Sequence, residues 1–157
     1  MAERYLPPSS FLRAIVADEV PLAGSDVADA TLCRLIDMTR DEHAVNRDWA
    51  TLLLAQAEVD TPEVRDALLR AAQDEHDGVR AEAILGLAMR DKALALPLLR
   101  KELAGEAVSM PVFEAAALVA DPSLVEDLRA FVLPSEDAFL DRYAREALEA
   151  CETGRPA

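Results

Sequence analysis

The residue types best suited to chemistry recur in one short phrase. The tripeptide Asp-Glu-His occupies residues 41–43 and again residues 74–76, and an arginine follows each copy at the same distance, at Arg47 and Arg80. Imidazole and carboxylate groups are common metal ligands, so the two copies define a candidate metal site. Equivalent points of neighbouring helices are about 10 Å apart, however, whereas the ligands of one ion lie much closer together. We therefore expect the acids to hold turns and helix ends, with no metal and no cofactor.

The remaining reactive side chains form no recognisable catalytic pair. Both histidines lie in predicted turns, and Cys33 and Cys151 are far apart in sequence and lack a neighbouring base. Because residues 1–4 do not begin a secretory signal, we expect reduced core thiols and a cytoplasmic protein. The abundant carboxylates are expected to form a solvated acidic surface rather than an acid–base couple. The sequence thus predicts a protein that is not an enzyme.

The composition limits both the core and the partner. Hydrophobic residues make up 52% of the 157 residues but aromatic residues only 4%, so the core of a single helical domain must consist of Ala, Leu and Val. The 30 acids outnumber the 16 bases and give a net charge of −14, which repels nucleic acid and favours a basic or mixed-charge partner. No apolar run approaches the ~18 residues of a membrane span. We expect a protein or peptide partner, no nucleic acid and no membrane, and the oligomeric state stays open.

The apolar periodicity predicts pairs of helices from Asp26 onward. A cap at Asp26 starts the first of them, a helix that begins at Asp91 contains Pro97, and the fourth pair is interrupted at Pro134. The helices with predicted bounds comprise residues 26–38, 44–59, 62–73, 78–90, 111–120 and 137–151. The predicted organisation is an N-terminal capping segment at 1–25, a repeat domain at 26–151 and a flexible tail at 152–157. The spacing of 33 residues between the two Asp-Glu-His copies is typical of a helical solenoid.

Two consecutive phrases carry a family resemblance. The first has Asp74, Val79-Arg80, Ala83 and Gly86-Leu87, the second runs from Asp91 through Pro97 to Leu99, and together they resemble HEAT repeats of the phycobilisome-lyase-like type. The resemblance covers about residues 26–150. It implies an all-α fold, an α-α superhelix in which a short HEAT-repeat solenoid of about four helical pairs follows an N-terminal capping helix. The positions expected to hold its turns and close helix contacts are Asp41, Arg47, Asp74, Arg80, Gly86 and Asp91. The two arginines are expected to bond turn groups of the adjacent repeat.

The resemblance also bears on catalysis. HEAT-repeat deoxyhypusine hydroxylases hold two irons with His-Glu pairs at the start of each second helix. The corresponding pairs in this chain lie at 48–49, 81–82, 113–114 and 142–143, and none of them is His-Glu. Iron chemistry of that kind is therefore excluded by residue type.

The second helix of each pair is the predicted partner-binding element. The repeat pattern leaves part of this helix facing outward, on the concave side, where an apolar ridge with acidic flanks would suit a peptide or helix. The predicted positions are Asp48, Trp49, Leu52, Gln56, Glu82, Leu85, Met89, Phe113, Glu114 and Tyr143. For Trp49 the alternative is internal packing, between repeats or under residues 1–25.

These expectations lead to one function and two alternatives. The favoured function is a non-enzymatic adaptor or scaffold that binds protein through an acidic concave face. The first alternative is an accessory, chaperone-like subunit of a cofactor-attaching lyase system, which would need a deep cavity with polar anchors. The second is an acidic inhibitor or immunity protein of a basic partner, which would need a flat and strongly negative patch.

Overall fold

The chain is built from paired helices. A computed structural model describes residues 5–157, in which nine α-helices and one short 3-10 helix occur and no residue lies in a β-strand. After the short helix α1, the pairs are α2–α3, α4–α5, α6–α7 and α8–α9, so the predicted all-α fold of four helical pairs is confirmed. The helices are α1 (Ser10–Val16), α2 (Asp26–Met38), α3 (Ala44–Gln56), α4 (Pro62–Ala71), α5 (Asp77–Arg90), α6 (Lys92–Leu103), α7 (Met110–Val119), α8 (Val125–Arg129) and α9 (Ala138–Thr153).

Side-chain caps fix where most of these helices begin. A hydroxyl or carboxylate oxygen accepts an N–H bond from the first turn and so satisfies a donor that has no partner within the helix. The capping residues are Ser9, Ser25, Thr61, Asp91 and Asp137. The predicted cap of α2 is corrected, because Ser25 accepts from the Ala28 N–H at 3.1 Å and Asp26 is the first helical residue.

Residues 5–83 form one compact unit. Within it, α3 packs against α1, α2 and α4. Small and aliphatic side chains fill the seams, as the scarcity of aromatic residues requires, and burying one leucine contributes roughly 1.5–3 kcal/mol. The fully buried residues include Leu12, Ala28, Leu35, Ala50, Leu54, Val64, Ala67, Leu68 and Val79.

Residues from Ile84 onward form the second compact unit. Within it, α9 packs against α7 and α8, and α6 packs against α7. Helix α6 is continuous although it contains Pro97, which is exposed. The fully buried residues include Ala95, Leu99, Ala115, Ala116, Leu124, Leu128, Ala147 and Cys151.

Specific contacts hold both ends of the described chain. Near the N-terminus, Pro7 is buried and its carbonyl oxygen accepts a 2.7 Å bond from the Arg13 side chain. At the C-terminus, α9 extends through Thr153, inside the segment expected to be a tail, and the Ala157 N–H donates to the Ala117 carbonyl at 3.2 Å. The boundaries 1–25, 26–151 and 152–157 remain predictions, and residues 1–4, on which the expectation about a signal rests, lie outside the described residues.

Candidate protein-binding site

The recurrent Asp-Glu-His phrase forms the same turn twice in the first unit. Asp41 accepts from the His43 N–H at 2.9 Å, and Asp74 accepts from the His76 N–H at 2.9 Å. Each carboxylate therefore fixes the chain direction just before a second helix, α3 or α5. Asp91 has a related role in the second unit, where it accepts from the Ala93 N–H at 3.0 Å and caps α6.

Arg47 connects one of these turns to the next. Its side chain donates to Asp74 through Nε at 2.8 Å and Nη2 at 3.1 Å, and to the Asp41 carbonyl at 3.1 Å. This is the contact with the adjacent repeat that the sequence predicts. Burial alone would raise the pKa of Asp74, but hydrogen bonds from Arg47 and the His76 N–H, with the positive charge of Arg47, hold that pKa below its ordinary value.

Arg80 makes the equivalent contacts within its own turn. Its Nη1 donates to the carbonyl oxygens of Asp74 at 3.0 Å and Glu75 at 3.2 Å. The two arginines therefore satisfy turn carbonyls in both copies of the phrase.

The two histidines stay close to the carboxylates of their own turns. His43 Nδ1 lies 3.3 Å from Asp41, and His76 Nδ1 lies 3.9 Å from Asp77. Among residues 5–157, no group of three or more His, Cys, Asp and Glu side chains is arranged to hold a metal ion.

Helix α3 carries the first set of predicted partner-binding residues. Asp48, Trp49 and Leu52 are half-buried, and Gln56 is exposed. Burial raises the pKa of Asp48 above the ordinary value, and this effect outweighs the opposing attraction of the His76 imidazole. Asp48 is therefore a partly desolvated acid, and it directly precedes Trp49 in the sequence.

Trp49 is covered by the N-terminal segment. The Tyr5 ring stacks on it at a centroid distance of 5.5 Å and an angle of 24°. The Trp49 Nε1–H is buried, and no acceptor for it exists among the described residues. Internal packing, the alternative weighed for Trp49, is thus what the structure shows for part of this side chain, while its remaining surface lines a cavity of about 370 Å³.

The division between the two units falls within helix α5, after Ala83. Glu82, in the first unit, is half-buried. In the second unit Leu85 is half-buried, Met89 is 56% exposed and Gly86 is buried. Met89 is thus the most accessible apolar residue of the predicted set on this helix.

In α7 the two neighbouring candidates differ. The exposed position expected for Phe113 is wrong, because Phe113 is 1% exposed and its ring packs edge-on against Phe131 at 5.6 Å. Glu114 is half-buried and is the only charged residue of α7. Burial raises its pKa, and within residues 5–157 no hydrogen bond or ion pair to its carboxylate exists.

The last candidate belongs to an aromatic cluster on α9. Tyr143 is half-buried and packs edge-on against Phe139 at 5.1 Å, with the Arg142 guanidinium over both rings. Phe139 is 57% exposed and was not among the predicted residues. Phe139 could have been predicted as a neighbour of Tyr143, because it lies four residues earlier in the same helix and residues at this spacing share one helix face.

One position of the second helices has the same burial in all four repeats. It is the second residue of the pairs 48–49, 81–82, 113–114 and 142–143. Its occupant is half-buried in every repeat, although the neighbouring position varies from buried to exposed. The four occupants are Trp49, Glu82, Glu114 and Tyr143. Two aromatic residues and two acids thus share one environment at equivalent points of the chain.

The cysteines differ from each other. Both thiols are free, but Cys33 is exposed, which corrects its expected core position. Cys151 is buried, and burial raises the pKa of its thiol to about 11. Because the thiolate is the nucleophilic form, Cys151 is a poor nucleophile at neutral pH.

Paired helices joined by equivalent Asp-stabilised turns define an α-helical repeat protein. The family model for HEAT repeats matches residues 32–120, which is more than half of the chain. The chain therefore belongs to the HEAT-repeat family.

The similar proteins agree with this assignment. Protein YibA of Escherichia coli, from strain K12 and from O157:H7, is 31% identical over 108 residues, which cover 69% of this chain and 39% of the relative. The crystal structure of E. coli YibA matches 87% of this chain and 54% of its own, with a TM-score of 0.61 at 24% identity, and shows the same fold. The chain thus spans about two fifths of the length of the curated relatives that it matches. None of the helices in the described part of this chain is long and apolar enough to cross a bilayer.

Proposed function

We propose that this protein is a non-enzymatic adaptor of the cytoplasm that binds a basic protein segment through the second helices of its repeats. The observation that carries the proposal is Glu114, a half-buried carboxylate that has no partner among the described residues. Retaining such a charge costs stability, because burial penalises the ionised form. A cationic group on a bound protein would supply the missing partner.

Further features support binding rather than catalysis. The net charge of −14 attracts a basic partner and speeds its encounter. The histidines lie beside the carboxylates of their own turns, and the Cys151 thiol is buried with a raised pKa. These groups are poorly placed to act as a general base or a nucleophile.

The two narrower alternatives are supported to different degrees. Two cavities within the units measure about 370 and 260 Å³, near or below the lower limit of the ~300–1,000 Å³ typical of ligand pockets, and cavities of this size suit protein binding better than a lyase-type cofactor role. An inhibitor of a basic protein would use the same carboxylates as an adaptor. Loss of the bound partner's own activity would distinguish that inhibitor from an adaptor.

The test compares Glu114→Gln with Glu149→Gln, a matched change at an exposed acid of α9. A partner is captured from cell extract at low salt, purified, and its Kd is measured by calorimetry. Glu114→Gln is expected to weaken binding by about tenfold, which corresponds to about 1.4 kcal/mol, and to raise the melting temperature at pH 7. Glu149→Gln should leave Kd within about twofold.

The direction of the stability change follows from the raised pKa of Glu114. A carboxyl whose folded-state pKa is raised stabilises the fold when it is protonated, below its ordinary pKa, and that contribution is lost as pH rises through the raised value. At neutral pH the glutamine variant avoids the cost of the half-buried charge. Equal Kd values for both variants would refute the proposed function.

A further inference from the structure

A cavity in the first unit is lined mostly by apolar side chains. It measures about 370 Å³ and lies between the N-terminal segment and α3. One wall is formed by Ile15, Val16 and Leu22, and the other includes Trp49 and Leu52. A space of this size accommodates one or two side chains rather than a large cofactor.

Among residues 5–157, Asp18 is the one charged residue that lines the cavity, and its backbone conformation is unusual. It has φ = 54°, in the left-handed region that favours glycine. The Asp18 N–H donates to the Ile15 carbonyl at 3.0 Å and the Glu19 N–H donates to the Ala14 carbonyl at 2.9 Å, the bonding of a Schellman motif at the end of α1. Glycine is the usual residue there, so an aspartate at this point is retained at a conformational cost.

Asp18 is exposed, so its carboxylate can be reached by a group of a bound partner. Across residues 5–157, its oxygens take part in no hydrogen bond or ion pair. The described part of the lining contains no arginine or lysine, and its other polar side chains are Gln56 and Trp49. Within residues 5–157 the lining is thus mostly apolar, with one exposed negative charge.

We propose that this cavity binds an arginine or lysine side chain of the partner, with the cation at Asp18 and the methylene stem against Trp49 and Leu52. The inference rests on the proposed function and names the partner group that the first unit recognises. Long basic side chains combine an apolar stem with a charged head, which matches this lining. A neutral side chain would leave Asp18 unpaired, and a second copy of this acidic chain is disfavoured by the charge of −14.

The single tryptophan of the chain provides the readout. Because Trp49 is the only tryptophan, its fluorescence reports on this cavity alone. The probe is a hexa-arginine peptide, titrated into the full chain at low salt, and we expect a saturable change in Trp49 emission. Asp18→Asn should weaken this binding about fivefold, whereas Asp66→Asn, the same charge change on the exposed side of α4, should change it less than twofold.

Two further variants separate binding from folding. Asp18→Gly suits the left-handed conformation, so it should keep or raise the melting temperature while weakening the peptide as much as Asp18→Asn does. Val16→Phe should fill the cavity and reduce the Trp49 response without changing any charge.

The outcomes distinguish this inference from the proposed function. Peptide binding without a change in Trp49 emission, equal affinities for Asp18→Asn and Asp66→Asn, or no binding by the wild type would each overturn the cavity assignment. The proposed function depends instead on the Kd of the captured partner. That Kd is tested with Glu114→Gln, a variant of the second unit.

Discussion

The Arg47–Asp74 contact should stabilise the first unit far more than a similar ion pair on its surface. Both side chains are only 12% exposed, and they are joined by two parallel bonds of 2.8 and 3.1 Å. Removing one partner of a buried pair costs about 3–5 kcal/mol, and the residual hydration of Asp74 reduces this to about 2–3 kcal/mol for Arg47→Ala. For a chain of 157 residues this lowers the melting temperature by about 4–12 °C.

The matched control is Arg65→Ala in the same unit. Arg65 also donates two bonds to one aspartate, to Asp60 at 2.7 and 2.8 Å, but these side chains are 33% and 41% exposed. An exposed pair contributes at most about 1 kcal/mol, so the melting temperature should fall by less than about 4 °C. Thermal unfolding followed by circular dichroism at 222 nm measures both variants.

The pH dependence supplies an independent check. Because the folded-state pKa of Asp74 is lowered, its stabilisation is fully present above the ordinary aspartate pKa of about 3.9 and is lost as pH falls through the lowered value. The destabilisation by Arg47→Ala should therefore be complete at pH 7 and should shrink as the solution is acidified below about pH 4. Equal losses for Arg47→Ala and Arg65→Ala at pH 7 would refute the reasoning.

Two further predictions concern the second unit. Gly86→Leu should lower the stability by about 1–3 kcal/mol in chemical unfolding, because Gly86 is buried and a larger side chain must displace its neighbours; an unchanged midpoint would mean that space exists there. Phe113→Glu should unfold the second unit, whereas Met89→Glu should keep its helicity, because Phe113 is 1% and Met89 56% exposed; equal circular dichroism melting curves would contradict these burial assignments.

The sequence was most informative where a local signal decides the structure. The repeated Asp-Glu-His phrase with its arginine marked the turns before α3 and α5, and the predicted end of α2 at Met38 matches the observed helix. Pro62 at the first helical position likewise marked the start of α4. Caps, proline and the apolar period act within a few residues, so they can be recognised without knowing the tertiary contacts.

The candidate site was harder to predict because exposure depends on distant segments. Phe113 lies in a helix that is apolar on nearly every side, and Phe131, in the irregular chain after α8, covers its ring. Trp49 is stacked by Tyr5, a residue of the N-terminal segment with no repeat pattern. Asp18 lines the cavity and has a left-handed backbone conformation, which the neighbouring residues in the sequence do not indicate. Periodicity identifies the outward side of a helix, but it does not reveal which segment covers that side.

Carboxylate footprinting of the complex with the purified partner tests the central claim most directly. Carbodiimide labelling of the free protein and of the complex, followed by mass spectrometry, compares individual acids. We predict that Glu114 and Asp48, the half-buried acids of the second helices, lose most of their labelling when the partner binds, while exposed Glu149 and Asp66 label equally in both states. Undiminished labelling of Glu114 and Asp48 in a saturated complex would contradict the account.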